Sequence, residues 1–221
     1  MCEAEGTTRE HVPPRCLFLR TYRDPAWTVP SCETHNTKKS KDDEFLKLVL
    51  LSTGQENEIG AVVYESVQRA IKEKPKLYGS LLRPGGAFSA VPVFAPDGTL
   101  DVALALAIPE ERHETVLQQV ACGLFYLLYD RPFYGKVSYF PLYAQYRGTR
   151  DTMSRSRDAF YFAAFIEKAL QMYDFPQFGD HRQVFYFRHF PIGEAELIQT
   201  VFYEGVQVVF IFEHTAEPAQ V

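Results

Sequence analysis

A carboxylate and an imidazole stand side by side near the start of this 221-residue sequence. Glu10 and His11 are followed by Val12 and two prolines, and Asn36 falls in the first turn of a predicted helix. The oxygens of Glu10 and Asn36 suit a hard divalent ion such as Mg²⁺ or Mn²⁺. A divalent ion and one histidine are the smallest set of groups that can both activate water and supply positive charge during hydrolysis of a phosphodiester.

Glu10 and His11 are adjacent, so the local backbone geometry decides whether their side chains can serve different roles in one site. Adjacent residues on a regular strand point to opposite faces, so Glu10 and His11 cannot share one face. A bend forced by Pro13 and Pro14 would let the two side chains diverge, one toward a metal ion and the other toward water.

An acidic pair, Asp42 and Asp43, follows Asn36 along the same predicted helix. Asp43 is seven residues after Asn36, which is close to two turns, so the two positions share nearly one face. Asp43 could support the candidate ligands or be a solvated acid. The solvated interpretation is favoured because acidic residues on helix surfaces are usually exposed.

Three segments of the first quarter of the chain together resemble a known family. They are Thr8–Pro14 with the order Thr-Arg-Glu-His-Val-Pro-Pro, Val29–Asn36 with Val-Pro-Ser-Cys-Glu-Thr-His-Asn, and Ser40–Glu44 with Ser-Lys-Asp-Asp-Glu. This pattern resembles the HNH (ββα-metal) endonucleases, and in particular bacterial members with Glu-His-Val-Pro-Pro and Val-Pro-Ser-Cys segments.

The resemblance implies a role for each matching residue. His11 would be the general base that activates water, while Glu10 and Asn36 would be catalytic-site ligands of a divalent metal, Mg²⁺ or Mn²⁺. Lys38 or Lys39 would steady the phosphate. The implied enzyme is a hydrolase of phosphodiester bonds, and its partner would be nucleic acid, with DNA as the first expectation.

The resemblance also implies a structural zinc site, although this sequence departs from the family there. Relatives carry two Cys-x-x-Cys pairs, whereas this chain has Cys32 with His35 and a single Cys2 in place of the first pair. Cys2, Cys32 and His35, with Glu5 as a fourth donor, are candidate zinc ligands. The alternative is that the two cysteines are inert thiols because three firm ligands are one too few for a closed site. If Cys2 is the second cysteine of the first pair, the missing ligand would lie upstream of Met1; otherwise the zinc site has been lost.

The net charge of the chain bears on whether its partner is nucleic acid, and the charge is unevenly divided between residues 1–44 and the rest. The net charge of −5, from 23 basic and 28 acidic residues, argues at first against nucleic acid. Residues 1–44 hold seven Lys or Arg and eight Asp or Glu, a net of −1, so that region is nearly neutral. Three of its lysines, Lys38, Lys39 and Lys41, surround the candidate phosphate position. The overall charge therefore suggests weak or regulated binding of nucleic acid.

The compartment is expected to be the cytoplasm. The longest apolar run, Val102–Ile108, is far shorter than a membrane span, and the N-terminus has no basic segment followed by an apolar core. Four cysteines in such a chain indicate thiols or metal ligands rather than disulfides. No membrane association is expected.

The predicted fold class is α+β. An N-terminal ββα-metal module over residues 1–53 precedes a mixed domain of helices and antiparallel sheet over 54–221, whose role in substrate, partner or signal recognition is open. A two-residue hairpin connection is predicted at Glu204-Gly205. The helices are predicted at 33–53, 59–74, 109–129 and 157–173, and the strands of the second domain at 88–94, 100–108, 137–143, 184–190, 197–203 and 206–212.

Three functions stay open on the sequence. The first is an active HNH-type endonuclease. The second is a catalytically degenerate module for nucleic-acid or protein interaction, because the bracing asparagine of many relatives has no counterpart around Asp24–Trp27. The third is a sensor domain with a regulated nuclease effector, as in phage-defence nucleases, in which the C-terminal domain mediates homo-oligomerisation or binds a regulatory partner. His113, His181, His189 and His214 are expected to be structural.

Overall fold

The computed structural model describes residues 6–23, 27–53, 57–73, 75, 88–94, 99–106, 108–143, 150–193 and 195–214. Within these ranges the protein combines four α-helices with antiparallel sheets. The predicted class, a mixed α+β fold, is confirmed.

The N-terminal part forms two strands and a helix in the predicted order. Strand β1 (Thr8–His11) pairs antiparallel with β2 (Thr28–Ser31), and helix α1 (Glu33–Thr53) starts just after β2. The connection between the strands contains two short 3₁₀ turns, Arg15–Leu17 and Arg20–Tyr22. The strand after the turns therefore delivers the chain directly into the helix.

The second half of helix α1 lies at the centre of the core. The buried side chains there point in all directions around the helix axis, so neighbours surround it on every side. They are Phe45, Leu46, Leu48, Val49, Leu50 and Leu51. The Cys16 thiol donates to the Asp43 carbonyl oxygen at 3.4 Å and fixes the first 3₁₀ turn on this helix. Burial raises the pKa of Cys16 to about 12, which fits an inert thiol.

Helix α2 (Glu58–Glu73) begins at a side-chain cap. The Asn57 Oδ1 accepts a hydrogen bond from the Gly60 amide at 2.8 Å, which satisfies one of the free amides of the first turn. The Asn57 Nδ2 donates to the Gln183 carbonyl at 2.6 Å. One side chain thus starts the helix and ties it to a distant loop.

The middle of the chain supplies a hairpin and a long helix. Strands β3 (Phe88–Phe94) and β4 (Leu100–Leu106) pair antiparallel, as predicted. Helix α3 (Glu110–Tyr129) follows Pro109, has acidic residues in its first turn, and ends at Asp130 in the left-handed conformation (φ 48°). The predicted end near Tyr129 is confirmed.

A five-stranded antiparallel sheet organises the C-terminal half. Its strands are β5 (Gly135–Pro141), β6 (Gln177–Phe178), β7 (Phe185–Ile192), β8 (Ala195–Phe202) and β9 (Val206–His214), and helix α4 (Arg150–Met172) lies between β5 and β6 in the sequence. The strand order is β5-β9-β8-β7-β6. Side chains along each strand alternate between two buried faces. On one face Phe187, Ile198 and Phe210 join the core that holds α1, α2 and α3, and on the other Leu197 and Val209 pack against α4.

The connection between β8 and β9 is one residue longer than the sequence predicted. Phe202 pairs with Val206, so Tyr203, Glu204 and Gly205 form the turn, and Tyr203 (φ 49°) and Glu204 (φ 64°) adopt left-handed conformations. The prediction of a two-residue connection at Glu204-Gly205 was therefore wrong. Tertiary contacts hold this backbone, because the Tyr203 hydroxyl donates to the Leu17 carbonyl at 2.7 Å and Asn57 donates to the Glu204 carboxylate at 2.9 Å.

Candidate functional site

Strand β1 directs Glu10 toward helix α1. The Glu10 carboxylate forms an ion pair with the Lys39 ammonium, and the two side chains are only 14% and 3% exposed. Val12, two residues further on, is also buried. Alternation along the strand therefore places Glu10 and Val12 on its inner face.

The Lys39 ammonium contacts a second carboxylate. Its Nζ lies 3.7 Å from Asp43 Oδ1, one turn further along α1. We call Glu10, Lys39 and Asp43 the buried ion cluster. Burial raises the pKa of Asp43 to about 6, against the opposing charge of Lys39, and burial also lowers the pKa of Lys39. The preferred solvated interpretation of Asp43 was wrong, because its side chain is only 25% exposed, pairs with Lys39, and lies where the first 3₁₀ turn packs against α1.

Asp42 is also engaged. Its Oδ1 accepts from Arg112 Nε at 2.8 Å, and the Arg112 guanidinium lies over the Phe45 ring at 4.8 Å. The acidic pair of α1 therefore divides between two basic partners, one within α1 and one on α3.

His11 ends β1 and lies on the face opposite Glu10. Its partner across the strand pair is Thr28, and its side chain is half-buried, while Arg9 and Arg15 nearby are exposed. Burial and then the charge of Arg15 lower the pKa of His11. The ring is therefore neutral at pH 7, the form required of a general base.

Of the other predicted site residues, several side chains lie outside the described residues. These are Cys2 and the side chains of His35, Asn36 and Lys38, although the backbone of positions 35, 36 and 38 belongs to the first two turns of α1. Position 36 precedes Lys39 by less than one turn. The predicted region around Asp24–Ala26 is likewise outside the described residues.

The candidate zinc site keeps one described member. Cys32 is a buried thiol immediately before α1. In the described part of the chain, no group of three or more His, Cys, Asp or Glu side chains is arranged to hold a metal ion. Because Cys2 and the side chain of His35 lie outside that part, the zinc site stays a prediction.

A small cleft lies beside the end of β1. Val12, Pro13, Tyr22, Trp27 and His181 line it, together with residues of the loop before β7. The Val12 amide donates to the Trp27 carbonyl at 3.0 Å, which extends the strand pairing past His11. The cleft therefore places an apolar surface one residue away from the predicted base.

A second polar cluster was not expected from the sequence. The Tyr129 hydroxyl donates to the Glu196 carboxylate. The same hydroxyl lies 3.1 Å from His189 Nε2, and His189 Nε2 lies 2.9 Å from Glu196 Oε2. His214 Nε2 lies 3.6 Å from Glu196 Oε1. Three strands and the end of α3 thus bring two histidines, a glutamate and a tyrosine together.

Strand alternation was the signal that could have revealed this cluster. His189, Glu196 and His214 occupy one face of neighbouring strands β7, β8 and β9, since Glu196 is opposite Phe212 and His189 is opposite Ile198. The spacing of these residues along the chain does not reveal that they are neighbours, because the register of strand pairing decides which residues lie side by side.

Comparison of the chain with protein-family models, with curated proteins and with solved structures found no match. Among the described helices, none is long and apolar enough to cross a membrane.

Proposed function

We propose that the protein is a metal-dependent HNH-type endonuclease that hydrolyses phosphodiester bonds of nucleic acid, with DNA as the first substrate to test. The observation that carries the proposal is the meeting of β1 and α1. Glu10 and His11 end the first strand of an antiparallel pair, and Glu10 contacts the helix that follows the second strand. That arrangement supports the ββα-metal module implied by the sequence.

His11 is the proposed base. Its neutral ring nitrogen accepts a proton from a water molecule, whose oxygen attacks the phosphorus as the bond to the leaving oxygen breaks. The leaving oxygen then takes a proton from solvent. The lowered pKa of His11 supports this role, and exposed Arg9 and Arg15 supply positive charge on the same part of the surface.

Glu10 and Asn36 are the proposed holders of a divalent ion. Mg²⁺ or Mn²⁺ would stabilise the charge that develops on the phosphate oxygens. The fit of this part of the molecule rests on the donor chemistry, since Glu10 and nearby Asp43 are both carboxylates and both already contact a cation, the Lys39 ammonium. Mg²⁺ sites in enzymes commonly use one or two carboxylates with waters and substrate phosphate.

The test is cleavage of supercoiled plasmid with Mg²⁺ or Mn²⁺. We expect His11→Ala to lower the nicking rate by at least about 100-fold, the usual contribution of a positioned general base. His214→Ala is the matched control and should cleave at the wild-type rate because His214 lies in the second polar cluster. Equal nicking by wild type and His11→Ala, or none by either with each metal, would contradict the proposal.

One observation favours a second candidate function. The ion pair between Lys39 and Glu10 already neutralises the proposed metal ligand, which would suit a catalytically degenerate module that binds nucleic acid or protein. Fluorescence anisotropy with labelled duplex DNA separates the two. Binding without cleavage under every metal tested would select the interaction module, and cleavage would exclude it.

A further inference from the structure

The cleft beside the end of β1 is rich in aromatic side chains. Tyr22, Trp27 and His181 line it with Val12, and we call these four residues the aromatic cleft. We propose that the aromatic cleft stacks one unpaired base of the substrate strand next to the phosphate that His11 attacks, so that the substrate is single-stranded or locally opened nucleic acid. This inference rests on the proposed function, because it names the substrate class of the same site.

The aromatic cleft begins one residue after the proposed base. Val12 follows His11 directly, and its amide donates to the Trp27 carbonyl at 3.0 Å. Trp27 in turn precedes Thr28, the residue that pairs with His11 across the two strands. A nucleic-acid strand with a phosphate at His11 has its neighbouring base close to the cleft, because phosphate and base are joined through one sugar.

The rings of the cleft are held in place by other rings. The Tyr22 ring meets the His181 ring edge-on, with 5.2 Å between their centroids, and the Trp27 ring meets Phe187 edge-on at 5.5 Å. Aromatic side chains are the usual platforms for unpaired bases, and this stacking tolerates any sequence because every base has a π-face. The cleft is shallow, so it suits a flat ring that rests against the protein.

The charge around the cleft matches a nucleic-acid strand. Residues 12–23, which connect β1 to the approach of β2, include three arginines and no acidic residue. Arg15 and Arg20 are exposed, and so is Arg182 in the loop before β7. Asp180 also lines the cleft, and its carboxylate can accept a hydrogen bond from an exocyclic amino group of a base. Positive charge outside an aromatic surface is the combination that binds single strands.

Stacking on the protein requires a base that has left its own stack. In an intact duplex the neighbouring base pairs cover both faces of each base, and an enzyme that uses one face must first extrude the base. Unpaired bases present their faces without this cost. The aromatic cleft therefore favours single strands, and duplexes only where they open locally, as negative supercoiling promotes in a plasmid.

The first experiment uses the intrinsic fluorescence of the cleft. Trp27 is the single tryptophan of the chain, so its emission reports on this position alone. Wild type is titrated with a short single-stranded oligodeoxynucleotide in the presence of a chelator that keeps the strand intact. The strand should quench the Trp27 emission, whereas an abasic strand with the same number of phosphates should not. Absence of quenching by the oligodeoxynucleotide, or equal quenching by the abasic strand, would overturn the inference.

The second experiment compares substrates and variants. With Mg²⁺, wild type should cleave a labelled strand at least about tenfold faster than the same strand annealed to its complement. Tyr22→Leu removes one stacking ring and should weaken binding of the single strand at least about fivefold. Tyr161→Leu makes the same change on the exposed surface of α4 and should bind the strand like wild type. Cleavage of the duplex as fast as the single strand, or wild-type affinity in Tyr22→Leu, would overturn the inference.

The two proposals fail in different ways. Quenching of Trp27 by the strand without cleavage under any metal confirms the base-binding cleft and rejects the nuclease. Cleavage by a protein whose Trp27 emission does not respond to the strand leaves the nuclease intact and rejects the cleft as its substrate site.

Discussion

His113 is a neutral histidine inside the core. It is 3% exposed, and its Nε2 lies 2.7 Å from the Tyr143 hydroxyl. Burial lowers its pKa to about 4 from the usual 6.5. The folded protein therefore keeps this ring uncharged at pH values where the unfolded chain would protonate it, which confirms its expected structural role.

Because the pKa of His113 differs between the folded and unfolded states, the free energy of unfolding should depend on pH. Between about pH 6.5 and 4 the unfolded state binds the proton and the folded state does not, so stability falls as pH falls, by about 1.4 kcal/mol per pH unit for this one group. His113→Gln should remove that contribution to the slope in urea unfolding measured from pH 7 to 4. Tyr143→Phe keeps the imidazole and should keep the slope. An identical slope in wild type and His113→Gln would contradict the assignment.

Helix α3 and strand β1 meet at a glycine. A Cβ placed on Gly123 would lie 2.5 Å from Val12 Cγ2 and 3.0 Å from Cγ1. Val12 follows the proposed base directly and its branched side chain is fully buried. The absence of a side chain at position 123 therefore sets how closely the end of β1 approaches the helix.

Gly123→Ala tests this contact against helix propensity. On propensity alone, alanine would stabilise α3 by about 1 kcal/mol. We expect instead a loss of about 1–3 kcal/mol in the free energy of unfolding, because the methyl group overpacks against Val12. The double variant Gly123→Ala, Val12→Ala should be more stable than the sum of the two single changes predicts. A stabilised Gly123→Ala protein would show that the backbones separate freely.

The larger of the two buried clusters joins the N-terminal part of the chain to the five-stranded sheet. Val12, Leu17 and Phe45 from the first 53 residues pack in the same cluster as Phe187 and Phe212 of the large sheet. The Tyr203 hydroxyl adds a buried hydrogen bond to the Leu17 carbonyl. The predicted division into 1–53 and 54–221 stays a prediction about roles, since the core extends across it.

Residues 1–53 alone should therefore not fold. Without the sheet and α3, the apolar residues of α1 that are buried all round would face water, and a unit of this size has little other core. Circular dichroism of the fragment should show no cooperative thermal transition, while the full chain should show one. A cooperative transition in the fragment would establish an autonomous module.

Much of the secondary structure follows from local sequence. The helices over 33–53 and 109–129 were predictable because apolar periodicity, Pro109 and the acidic first turns act within a few residues of each other. The strand pair, predicted over 88–94 and 100–108 and found over 88–94 and 100–106, followed from its runs of strand-forming residues around a turn. The resemblance of three segments to the HNH family also led us to expect Glu10 near the helix that carries Asn36, and Glu10 contacts Lys39 of that helix.

The tertiary structure alone decided the partners of these side chains. Asp43 looked like a solvated helix acid, yet its side chain is only 25% exposed and pairs with Lys39. Tyr203 looked like a strand residue, yet it turns out of the strand toward Leu17. The cluster of Tyr129, His189, Glu196 and His214 depends on the register of three strands. Such pairings arise from contacts between residues far apart in the chain, and local periodicity carries no information about which distant element covers a given face.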